Sequence, residues 1–105
     1  MTPEGLVKKI IKAQLAEVGW WYFMPPGTGF GRSGIPDFIG MLPNGRMFAI
    51  EAKATTNPTT LQQREIDSIN AYQGVAVVIK GAAQAKDVLK IIEAKHFSTS
   101  ASINL

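Results

Sequence analysis

The sequence predicts an α/β domain in which a mixed sheet is flanked by helices in the order αβββαβ, with one more helix at the end. Three observations carry this expectation: an apolar stripe of helical period near the N-terminus, an Asn-Gly turn between two strand-like runs, and the continuous β-branched run Val75-Ala76-Val77-Val78-Ile79-Lys80.

The first element opens on Thr2-Pro3-Glu4, an N-cap, a proline at the first helical position and an acid in the first turn. A helix follows from about Pro3 to Val18, with Val7, Ile11, Leu15 and Val18 on one stripe and Glu4 heading the same row. Gly19 stops it, and Trp20 to Met24 reads as a short aromatic strand closed by Pro25 and Pro26. The loop 25–34 holds four glycines and two prolines and has no regular period. Ile35 to Leu42 and Arg46 to Lys53 then form a hairpin around Pro43-Asn44-Gly45. Thr59 opens a helix to about Tyr72 or Gln73, ended by Gly74. The run 75–80 is expected to be a strand buried on both faces and central in the sheet. A last helix is expected over about Ala83 to Ala94, with Val88, Ile91 and Ile92 inward. The domain is placed at 1–97, and residues 98–105 read as a frayed or partner-dependent tail.

Composition narrows the chemistry. The 105 residues suffice for one core, and a hydrophobic fraction of 46% is that of a folded chain. There is no cysteine and one histidine, His96, expected on the surface without a role; thiolate zinc sites, disulfides, cysteine nucleophiles and multi-histidine cages are excluded. No apolar run reaches membrane-spanning length and the N-terminus lacks a signal-peptide core, so the expected location is cytoplasmic, without a membrane partner. The net charge of +3 mildly favours a polyanionic partner. Carboxylates, lysines, hydroxyls or a hard metal ion remain as chemical agents.

A period of two in 46–53 places Phe48, Ile50 and Ala52 on one face and Glu51 and Lys53 on the other. Folding the hairpin about 43–45 brings Asp37 opposite Glu51. Two carboxylates at short range repel unless a cation separates them. Mg²⁺ or Mn²⁺ fits such an oxygen site: Asp37 and Glu51 would be ligands, the Ala52 carbonyl could add a third oxygen, and Lys53 could position or deprotonate a bound water. The chemistry so assembled is metal-assisted phosphodiester hydrolysis.

Gly34-Ile35-Pro36-Asp37 followed by Ile50-Glu51-Ala52-Lys53, with fourteen residues from aspartate to glutamate, resembles the PD-(D/E)XK nuclease signature. Glu4 on the first helix, the stretch GTGFGRSGIPDFIG, the hairpin to FAIEAKA and TTLQQREIDSINAYQGVAVVIKG together resemble the VRR-NUC domain, the virus-type replication-repair nuclease module, over residues 3–82. The resemblance implies a restriction-endonuclease-like core. It also implies a Mg²⁺- or Mn²⁺-dependent endodeoxyribonuclease leaving a 5′-phosphate and a 3′-hydroxyl, of the stand-alone type found in bacteria and phages. It matches Asp37 and Glu51 to the metal carboxylates, Lys53 to the catalytic lysine, Glu4 to the first-helix acid, reaching metal directly or through water, and Gln62 to the glutamine of the following helix. Ala52 departs from the valine more often found there. Stand-alone members are associated with cutting four-way junctions as homodimers, and eukaryotic relatives with flaps and crosslinked DNA. Other readings of the chain are a flap- or nick-processing nuclease, a non-catalytic branched-DNA-binding module and a small regulatory subunit.

Several of these residues also have plainer readings: Glu4 complements the helix dipole, Gln62 closes a capping box with Thr59, and Lys8 and Lys12 lie on a solvated face or track a DNA backbone. Gly29-Phe30-Gly31-Arg32-Ser33-Gly34 matches G-x-G-x-x-G literally, yet a strand follows it where a dinucleotide site needs a helix. The functional reading of that loop is close approach to DNA phosphates, with Thr28, Gly29, Gly31, Arg32 and Ser33 in contact.

Overall fold

The computed structural model describes residues 1–27 and 31–103, with side chains to residue 98. Helix α1 (Pro3–Val18) begins at Thr2, whose hydroxyl accepts the Gly5 N–H, and ends at Gly19 in the left-handed conformation. Three strands follow: β1 (Trp21–Phe23), β2 (Phe38–Met41) and β3 (Met47–Lys53). Then come α2 (Thr60–Ala71), β4 (Val75–Lys80), α3 (Gly81–Lys86) and α4 (Val88–Ile103). The expected αβββαβ order is thus the observed one.

The sheet runs β1-β2-β3-β4, with antiparallel pairs except for the parallel pair β3–β4. The hairpin closes through Gly45 N–H to Leu42 O and Leu42 N–H to Arg46 O. Gly45 alone of the loop residues has positive φ, the mark of a three-residue hairpin rather than a two-residue Asn-Gly turn. This closure sets Phe38 opposite Ile50 and Gly40 opposite Phe48. Gly40 is required there, because a Cβ would collide with the Trp21 carbonyl and the Phe48 ring.

Helices cover both faces. Val7, Ile11 and Leu15 of α1, with Ala85, Val88 and Ile92, pack on Phe48, Ile50, Ala52, Val77 and Ile79. On the other face Ile66 and Ile69 of α2 meet Ala49, Ala76 and Val78. Glu51 and Lys53 share the parity of Ala49, so they lie on the α2 face.

Four expectations are corrected. Val18 is exposed rather than in the α1 stripe, since the helix ends beyond the edge of the core. Strand β4 is buried but lies at the end of the sheet, not at its centre. Helices cover it on both faces, and side chains cap its outer edge: Asn70 bonds both backbone groups of Ala76, Lys95 Nζ donates to Ala76 O, and Gln84 accepts Lys80 N–H. The last helix is two helices with a break at Asp87, and α4 continues to Ile103, past the expected end near Ala94. His96 is half-buried, its Nδ1 2.7 Å from Arg46 Nη1, so that it ties α4 to the start of β3. As a guanidinium only donates, Nδ1 is the acceptor. The left-handed residue after α2 is Gln73, with Gly74 N–H closing on Ile69 O. Among the described residues no helix is long and apolar enough to cross a membrane.

Candidate active site

The hairpin register delivers Asp37 to Glu51 and Ala52. Asp37 lies one residue before Phe38, the partner of Ile50, and its Oδ2 accepts the Ala52 N–H at 2.8 Å. In an extended strand the N–H and C=O of a residue point to the same edge, so the Ala52 carbonyl also faces the Asp37 side. Pro36 is buried just before the aspartate and fixes the chain entering β2.

Glu51 is only 2% exposed, and its Oε1 has no hydrogen-bond partner. Burial, then the neighbouring Asp37 as charge and hydrogen-bond partner, push its carboxyl up to about 8; Lys53 opposes this and Glu4 adds to it. Lys53 Nζ stands 3.8 Å from Glu51 Oε2 and is itself nearly buried. A buried, orphaned carboxylate oxygen beside a second carboxylate is costly as it stands and suited to a hard cation. The donor set therefore fits Mg²⁺ or Mn²⁺, with Asp37, Glu51 and the Ala52 carbonyl as the groups to hold it. Among the described residues no three His, Asp or Glu side chains converge into a complete cage. Waters and substrate oxygens would supply the remaining positions, as Mg²⁺ commonly requires.

Glu4 points to this cluster from α1, but through Lys8: Lys8 Nζ lies 3.7 Å from Glu4 Oε2 and 3.5 Å from Asp37 Oδ1. Lys8, expected on a solvated or DNA-tracking face, thus belongs to the acid cluster. The i,i+4 spacing of Glu4 and Lys8 was the available sequence signal for half of this contact. Lys12 is exposed on α1, outside the cluster.

Gln62 closes a full capping box. Its Oε1 accepts Thr59 N–H at 2.8 Å, and its own N–H donates to Thr59 Oγ1. The glycine-rich loop is moored to this same helix start. A Cβ on Gly34 would lie 2.5 Å from Leu61 O, and Gly34 has φ +84°, so glycine is needed twice over. Arg32 pairs with Glu65 at 2.6 Å, a contact that sequence reasoning missed, while most of the arginine stays exposed. Gly31 and Ser33 are exposed. Thr28 and Gly29 lie outside the described residues.

A solved structure described as a VRR_NUC domain superposes on this chain with a TM-score of 0.72 and 26% identity, covering 86% of this chain and 97% of that one. The chain has the fold of a VRR-NUC domain. No family model and no curated protein matches the sequence. The VRR-NUC fold accounts for the element order and for the hairpin that joins Asp37 to Glu51. The contacts of Lys8 and Arg32 are read from this chain itself.

Proposed function

We propose that this chain is a metal-dependent nuclease that hydrolyses DNA phosphodiester bonds, selective for branched structures and cutting four-way junctions as a homodimer. The observation that carries the reading is the buried Glu51 beside the half-buried Asp37, with the orphaned Glu51 Oε1 and adjacent Lys53, on a VRR-NUC fold. A bound Mg²⁺ or Mn²⁺ would supply a water of lowered pKa and offset charge developing on the phosphate.

The protein's own residues do the rest. Asp37 is held through Oδ2 by the Ala52 N–H, with Oδ1 beside Lys8. Glu51 presents Oε1, and the Ala52 carbonyl faces the same side. Lys53 orients the water that attacks phosphorus and donates to the phosphoryl oxygens as their charge grows. Glu4 acts at one remove, through water. Gln62 positions the start of α2, and the exposed Gly31, Arg32 and Ser33 meet the DNA backbone. Trp21, Phe23 and Met41 form an exposed apolar face on β1 and β2. That face supports the pairing of two chains that symmetric cutting of a junction needs.

The test is incubation of purified protein with labelled junction, flap, duplex and single-stranded DNA, with Mn²⁺, Mg²⁺ or a chelator. Cleavage is expected with metal, strongest on the junction, and none with chelator. Binding of branched DNA without any metal-dependent cutting would make the chain a binding module instead.

A further inference from the structure

We propose that Lys8 is a built-in counter-ion of the acid cluster that exchanges with the divalent cation, holding Asp37 in the absence of metal and turning to the DNA backbone once metal binds. This rests on the nuclease reading above and adds to it a residue that sets how tightly the metal is held.

Geometry gives the first reason. Asp37 Oδ2 already accepts the Ala52 N–H, so Oδ1, which accepts no backbone N–H, has the larger lone-pair capacity for a cation held with Glu51. Lys8 Nζ stands 3.5 Å from that same Oδ1. Ammonium and metal would therefore draw on one oxygen, and their like charges oppose joint occupancy.

Charge balance gives the second. With a dication bound, the carboxylates of Glu4, Asp37 and Glu51 carry three negative charges against four positive ones from the metal, Lys8 and Lys53. Departure of one lysine restores neutrality. Lys53 is poorly placed to leave, since its side chain is 11% exposed and enclosed beside Glu51. The Lys8 side chain is 30% exposed and stands on a helix surface. It also has somewhere to go: Lys8 and Asp37 line an open basin of about 710 Å³ with Met24, Pro25, Ser33 and Gly34. There the ammonium can pair with a phosphate while Glu4, one turn back on α1, keeps it close to the site.

The two roles predict opposite effects of one substitution. Titrating Mn²⁺ by calorimetry into wild type, Lys8→Met, Lys8→Arg and Asp37→Asn proteins, without DNA and at low salt, separates them. Lys8→Met is expected to bind Mn²⁺ about three- to tenfold more tightly than wild type, because a screened opposing charge is gone. Lys8→Arg keeps the charge and should stay near wild type. In Ca²⁺, Lys8→Met should bind junction DNA several-fold more weakly. A structural role alone would loosen the site and weaken metal binding, so tightening is the diagnostic sign. Equal or weaker Mn²⁺ binding by Lys8→Met, or by Lys8→Gln should the methionine variant not fold, overturns the proposal. If Asp37→Asn binds Mn²⁺ as wild type does, the metal assignment itself fails. If Asp37→Asn abolishes binding and Lys8→Met does not tighten it, only the exchange fails.

Discussion

At the scale of single residues, Glu51 is the most informative. Its carboxyl is pushed up to about 8 by burial and by Asp37, whereas in the unfolded chain it titrates near 4.5. Between those values the folded state holds a proton that the unfolded state has lost. Stability of the protein in chelator should therefore fall as pH rises from about 4.5 to about 8 and level off above, by an amount on the order of a few kcal/mol. Glu51→Gln removes this dependence and should raise the melting temperature in chelator at pH 8. Thermal denaturation of both proteins across pH checks it; a Glu51→Gln variant less stable than wild type at pH 8 would show that the buried carboxylate carries no such strain. Much of this site was legible from sequence. The period of two in β3 and a three-residue loop suffice to place Asp37 against Glu51, because register follows from local geometry. The Lys8–Asp37 contact was not, since it joins α1 to the hairpin and no local spacing encodes it.

At the scale of elements, the start of α2 organises the approach to the site. Thr59 and Gln62 cap it, Gly34 packs on its first turn, and Glu65 one turn on holds Arg32. The cap was readable from Thr-x-x-Gln, whereas the docking of the glycine loop depends on tertiary contacts. The Arg32–Glu65 pair has its guanidinium in solvent, although Glu65 is largely covered, and contributes about 1 kcal/mol or less to stability. Arg32→Ala should thus leave the melting temperature nearly unchanged. On the proposed contact of Arg32 with the DNA backbone, the same substitution should weaken binding of a junction in Ca²⁺ and reduce the slope of log affinity against log salt by about 1. An unchanged slope would restrict Arg32 to holding the loop. Elements outside this cluster show where pattern reading ends. An apolar run such as 75–80 looks the same in a central strand and in a terminal strand covered by helices, and the break at Asp87 has neither glycine nor proline to announce it.

At the scale of the molecule, the described residues hold a single carboxylate pair of this kind, on a body with a long axis of 44 Å. Cutting two strands of a four-way junction in concert needs a second such site at fixed separation, and a twofold dimer is the simplest source. Light scattering should give a dimer mass for wild type, and Trp21→Glu combined with Phe23→Glu should shift it to monomer without loss of fold. A wild-type monomer that cuts junctions symmetrically would contradict the pairing. The excess of basic residues also acts at this scale: neutralising the buried acids with a metal leaves a more positive surface toward the DNA.

The central claim is that Asp37 and Glu51 hold a divalent cation that drives phosphodiester hydrolysis with Lys53. It is tested most directly by single-turnover cleavage of a labelled four-way junction in Mn²⁺, comparing wild type with Asp37→Asn and Lys53→Met proteins whose circular dichroism matches it. Loss of at least about a hundredfold in rate is expected for each variant, as for removal of groups acting on the transition state. Folded variants that cut as fast as wild type would contradict it.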